Sequence, residues 1–397
     1  MPIINRIADF QKDMEAWRHD IHQHPETAFE EHRTSDVVAR LLQSFGIEVH
    51  RGLAKTGVVG VLKAGSGRRA IGLRADMDAL DILETNDFDH ASTIPGKMHA
   101  CGHDGHTTML LGAAKYLAET KNFDGTVYFI FQPAEENEGG GRVMVEEGLF
   151  DKFPAEQVYG MHNIPGIPVG HFAVRPGPMM AAYDIFEITV EGRGAHGAMP
   201  HQGIDPVMVG SQIVVALQAI VSRYTDPMDT AVVSTTQFHS GDAWNVIPQT
   251  AVLRGTVRTF KKEVQDRVER QIEEISRAVA QGYGARIGWR YERRYPATVN
   301  SEAETEIAAR AAAAVAGLPK VNRNPTPAMG SEDFAFMLQA RPGCYIWIGN
   351  GDRPGSCMIH NPGYDFNDEI LPLGASYWAT LVEQELSKEM PRKQAAE

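Results

Sequence analysis

The order of strand and helix signals along these 397 residues constrains the fold more than any other feature of the chain. Up to about residue 180, short β-branched or aromatic runs alternate with amphipathic patterns. Apolar residues at helical spacing cover 8–24 and 33–45, and 104–120 reads as a helix with Asp104 placed to cap it. Runs at 57–63, 70–75, 126–131 and 157–161 read as strands. Such alternation implies a sheet containing parallel strands covered by helices. From residue 184 the order changes to strand 184–191, helix 205–222 opened by Asp-Pro, strands 231–238 and 250–259, helix 262–281 and strand 285–294. That is β-α-β-β-α-β, the split βαβ plan of a small α+β, ferredoxin-like domain. After Pro296 the first pattern returns, with an alanine-rich helix at 303–316 and a strand at 344–349. The expected fold is α/β and discontinuous, with 1–183 and 296–397 forming one domain and 184–295 inserted into it.

Composition excludes several functions. With 38 Lys and Arg against 51 Asp and Glu, the net charge of −13 argues against nucleic-acid binding, which depends on clustered cations. The charged N-terminal stretch MPIINRIADFQKDMEAW does not read as a signal peptide, and no uninterrupted apolar run approaches the roughly 18–20 residues of a membrane span. Three cysteines, Cys101, Cys344 and Cys357, form no disulfide framework and suit a reducing cytoplasm. No G-x-G-x-x-G or P-loop follows the first strand, so a nucleotide-binding reading has no support.

Polar residues gather where the strands end. MHACGHDGH puts Cys101 and His103 two apart in a glycine-containing loop just before a helix, a good start for a metal that accepts sulfur and nitrogen. QPAEE follows the strand TVYFIF, so that one carboxylate, of Glu135 or Glu136, can bind metal while its neighbour stays free as a base. His162 follows QVYGM, Asp76 and Asp78 follow AIGLR, and His360 lies beyond CYIWIGN. In open α/β sheets ligands bind at the carboxyl ends of strands, and five such ends here deliver Asp, Cys/His, Glu/Glu, His and His.

The stretches RADMDAL, MHACGHDGH, FQPAEE, GMHN, GRGAHGAMPHQGIDP, WNVIP, GSEDF and the His360 loop, in this order, resemble the M20 metallopeptidase superfamily. The likeness is to its M20D branch of aminoacylase-like, hippurate hydrolase-like and indoleacetyl-amino acid hydrolase-like amidohydrolases. The resemblance implies a zinc-peptidase-like catalytic domain, an inserted domain serving as lid and dimerisation unit, and two divalent metal ions (Mn, Zn, Co or Ni). It assigns Cys101, His103, Glu136, His162 and His360 as metal ligands, with Cys101 bridging. Glu135 corresponds to the general base that activates water, and Asp78 to an acid that orients the site. His196 corresponds to a histidine that stabilises the oxyanion, often in a partner subunit's site, and Asn245 is similar to a substrate-binding position. Hydrolysis of the amide bond of N-acyl amino acids is the implied reaction, with dipeptidase or N-acetyl-diaminopimelate deacetylase chemistry the alternative. A homodimer or higher homo-oligomer is implied as well. His19, His22 and His24 receive no catalytic task, and His99 and His106 read as supports of the ligand loop.

Overall fold

The computed structural model describes residues 3–136, 138–351 and 357–388. The fold is mixed α/β, and the chain divides into two compact units. One comprises Met1–Met179, Val299–Thr326 and Asp333–Glu397; the other comprises Met180–Thr298 and Pro327–Glu332.

The first unit is built on an eight-stranded sheet. Its strand order is Glu48–Leu53, Gly57–Ala64, Gly125–Gln132, Ala70–Asp76, Gln157–Pro165, Gly343–Gly351, Phe172–Ala173 and Val321–Asn322. The four strands from Gly125–Gln132 to Gly343–Gly351 run parallel, so their carboxyl ends lie at one edge of the sheet. Ala70–Asp76 is buried at every position, as expected for a central parallel strand. Helices His103–Thr120, Glu302–Ala316 and Leu371–Glu385 contribute Leu110, Ala312 and Trp378 to the same core as Phe129 and Ile346. The edge strand Glu48–Leu53 is absent from the sequence reading because EVHRGL is polar and largely exposed, a pattern typical of edges and weak as a strand signal.

Two local expectations change. The helix expected from 104 begins at His103, behind Gly102 in left-handed backbone at φ 90. Asp104 therefore lies inside the first turn rather than capping it, and its carboxylate faces buried cations. The strand expected to stop before His162 runs on through it to Pro165.

The second unit is a four-stranded antiparallel sheet ordered Ala231–His239, Thr250–Thr259, Ala182–Glu191, Arg286–Tyr295. Ala182–Glu191 alternates buried and part-exposed residues, and Phe186, Ile188 and Val190 pack with helix residues Val209, Ile213, Val264 and Val268. Asp205 caps the helix Pro206–Ala219 by accepting the Val207 N–H at 2.9 Å, with Pro206 fitting the first turn. With its π-helical end this helix is long and apolar enough, over Pro206–Tyr224, to cross a membrane by composition, although its apolar runs are short and broken by Ser211, Gln212 and Gln218. One face fills the core of this unit through Val209, Ile213, Leu217 and Ile220.

Candidate active site

The parallel strand ends bring six side chains of the first unit together. Ligand atoms of Cys101, His103 and His162 lie within 4.8 Å of one another, as do those of Cys101, Glu136 and His360, and those of His103, Glu135 and Glu136. Cys101 belongs to both of the first two groups. Its Sγ is 3.3 Å from His162 Nε2. His360 is fixed by its backbone, donating its N–H to the Ala100 carbonyl at 2.7 Å from a left-handed φ of 64.

Hydrogen bonds behind these groups aim them. His103 Nδ1 lies 2.8 Å from the Asp78 carbonyl and 3.2 Å from its carboxylate, both acceptors, so Nδ1 is the donor and Nε2 is the nitrogen left to meet a metal. The other Asp78 oxygen accepts the Glu136 N–H at 2.9 Å, so one carboxylate sets two of the converging residues. His162 Nδ1 donates to the Asn163 carbonyl at 2.6 Å and presents Nε2 to the thiol. A buried chain continues beneath: Arg74 to Asp76 at 2.7 Å, Asp76 to His106 at 2.6 Å, His106 to Asn163 at 2.7 Å, and Asn163 to the Tyr364 hydroxyl at 2.5 Å. Gly102 sits against this chain; a Cβ there would lie 2.3 Å from Asn163 Oδ1 and 2.7 Å from the Tyr364 oxygen. Arg74 also reaches Asp333 at 3.1 Å, and the Asp333 N–H points at Glu135 Oε1, 3.4 Å away.

The donor set fits cations. His103 Nε2 and Glu136 Oε1 are buried atoms without a hydrogen-bond partner; Glu136 Oε1 is 3.0 Å from His360 Nε2, but without hydrogen-bonding angles. Buried polar atoms of this kind are costly unless something coordinates them. Burial, then the charges of Glu136 and Glu135, push the Cys101 thiol well above its ordinary range. Burial and the neighbouring His106 hold His162 neutral. For His103 burial works against the charge, but Asp76 and Asp78 outweigh it and raise the group to about 10. Thiol, imidazole and carboxylate crowded in this way lack a counter-charge that a divalent ion supplies.

A second buried cluster supports the ligand loop. Arg18 is fully buried against Asp104 at 3.2 Å and Asp365 at 3.1 Å, and it also pairs with Asp368. His22 bonds Asp104 at 2.9 Å and Glu84 at 3.2 Å. Burial opposes the His22 charge, but those two hydrogen bonds prevail and raise it to about 9. The folded state thus holds this proton more tightly than the unfolded one, whose value is near 6.5. The stabilisation is complete below that value and is lost as pH rises through about 9, an effect on the order of 3 kcal/mol. Urea unfolding of the metal-loaded protein from pH 6 to 9.5 is expected to show that decline, and His22→Gln to flatten it. An unchanged slope in the variant would refute the assignment.

His196 and Asn245 lie in the second unit, on neighbouring short segments. Ala195–His196 pairs with Val246–Ile247, and Gly197 donates its N–H to the Asn245 carbonyl at 2.7 Å. Both are exposed.

The cluster is a candidate metal centre, and residues 72–384 match peptidase family M20/M25/M40, which makes the protein a hydrolytic enzyme. The chain belongs to that family. It is similar to a hippurate hydrolase of Campylobacter jejuni, with 42% identity over 96% of this chain and 98% of that protein. It is also similar to an N-acetylcysteine deacetylase of Bacillus subtilis, with 38% identity over 92% and 94%. A solved structure of a dinuclear metal-binding M20 peptidase from Bacillus subtilis superposes with a TM-score of 0.84, at 35% identity, covering 96% of this chain and 99% of that one.

Proposed function

We propose that this enzyme hydrolyses the amide bond of N-acyl amino acids, using two divalent ions held by Cys101, His103, Glu136, His162 and His360. The observation that carries the reading is the Cys101 thiol shared by two groups of ligand atoms, with the Glu135 carboxylate beside them. Ions bound there supply Lewis acidity, polarising the scissile carbonyl and bringing a water's pKa toward neutrality. Glu135 takes the proton from water and returns it to the departing amine. Asp78 keeps His103 and Glu136 aimed by the bonds described above. His196 Nδ1 accepts the Ala198 N–H at 3.1 Å, which leaves the proton on Nε2 as a donor for the developing oxyanion. Asn245 is assigned to substrate. The mixed sulfur, nitrogen and oxygen set suits Mn, Zn, Co or Ni. The relatives' substrates, hippurate and N-acetylcysteine by name, support an acylated amino acid.

The same reading includes a homodimer formed through the second unit. Its helix exposes Val207, Met208, Val215 and Val221, and Ala231–His239 is an edge strand of its sheet. The three cysteines are free, which fits a cytoplasmic setting.

One panel tests the proposal: hippurate, N-acetyl amino acids, indoleacetyl conjugates, dipeptides and N-acetyl-diaminopimelate, each with added divalent metal. Preference for the acylated amino acids supports it. Preference for dipeptides or the diaminopimelate derivative transfers the site to the alternative reaction. Light scattering on the same preparation is expected to give twice the 43.7 kDa chain, and a monomer would remove the dimer.

A further inference from the structure

We infer that Glu31 is a positioning residue for Glu135, holding the turn that carries the base through the backbone of Ala134. The inference rests on the role proposed for Glu135. Phe29 and Ala134 adopt left-handed backbone, with φ of 62 and 55, a conformation that costs an L-residue roughly 1–2 kcal/mol. The N–H groups of both donate to one atom. Glu31 Oε1 accepts from Phe29 at 3.1 Å and from Ala134 at 2.9 Å, while Oε2 accepts the Thr56 hydroxyl at 2.6 Å. Glu31 and Ala134 are fully buried and Thr56 nearly so. A carboxyl so placed, which burial and then the nearby Asp78 raise to about 7, contributes little as packing, since an apolar side chain fills such space without the desolvation cost. It gives instead a fixed acceptor that compensates two strained residues, one of them immediately before Glu135.

The N-terminal segment braces the neighbouring strand end too. The Glu26 carbonyl accepts the Ala79 N–H at 2.8 Å, one residue beyond Asp78. The Glu26 carboxylate is meanwhile anchored to the next helix, accepting from Arg33 N at 2.9 Å and Thr34 N at 2.8 Å. The stretch from Glu26 to Glu31 therefore ties the turn bearing Asp78 and the turn bearing Glu135 to one support.

Two substitutions separate acceptor position from the carboxyl group itself. Glu31→Gln keeps an oxygen where both N–H groups need it and turns its amide toward the Thr56 oxygen. Glu31→Asp keeps the carboxyl group but withdraws the acceptor by one methylene. With hippurate as substrate and metal-loaded enzyme, Glu31→Asp is expected to lower kcat by about tenfold to a hundredfold, because misplacement by an ångström costs that much. KM and bound metal should stay near wild type, while Glu31→Gln should keep kcat within about threefold. Adding Ala134→Gly to Glu31→Asp should restore kcat severalfold, since glycine takes left-handed backbone without penalty; a general stabilising role for Glu31 gives no such rescue. Wild-type kcat in Glu31→Asp, equal damage in Glu31→Gln, or no rescue would each overturn the inference. Full activity in Glu135→Gln would instead remove the proposed function, so the two failures are distinct.

Discussion

Glu135→Gln is expected to lower kcat by about a hundredfold to ten-thousandfold, the usual contribution of a positioned proton-transfer group. KM, bound metal and thermal stability should change little. Glutamine has the same shape and still accepts from the Asp333 N–H at the Oε1 position, so the turn and its neighbours stay in place. What is lost is the ability to take a proton. The adjacent residue gives the contrast. Glu136 has a buried oxygen without a hydrogen-bond partner among the ligand atoms, so Glu136→Gln should lose bound metal together with activity. If both variants lost metal equally, or if Glu135→Gln turned over like wild type, the division of labour between the two carboxylates would be wrong.

The strand-end side chains are legible in the sequence because each follows a short apolar run. Asp78, Glu135, Glu136 and His162 stand at or just beyond such runs, and Cys101 stands just before the helix that His103 begins. The second unit is legible for a similar reason: Ala182–Glu191 alternates along its length and Asp205-Pro206 marks a helix start. The supports behind the site are not. Arg18 meets Asp104 from 86 residues away, Glu31 meets Ala134 from 103, and Arg74 meets Asp333 from 259. Each sits in an ordinary local pattern, and only the folded chain shows that it is buried and what charge it faces. Asp104 shows the limit within a single motif. Its position suggests a helix cap, but Gly102 starts the helix and the buried Arg18 and His22 take the carboxylate.

The second large effect is expected on removing metal. Without cations, the Cys101 thiol keeps its proton beside Glu135 and Glu136, and His103 holds one against Asp76 and Asp78. The water to be activated then has no electrophilic partner. Losing several kcal/mol of such stabilisation slows turnover by about a thousandfold or more. The direct test is hippurate hydrolysis by chelator-stripped enzyme, with divalent metal titrated back and bound metal counted at each step. The account predicts activity near background in the stripped enzyme, returning as the second ion per chain is bound. Full activity in demonstrably metal-free protein would contradict it.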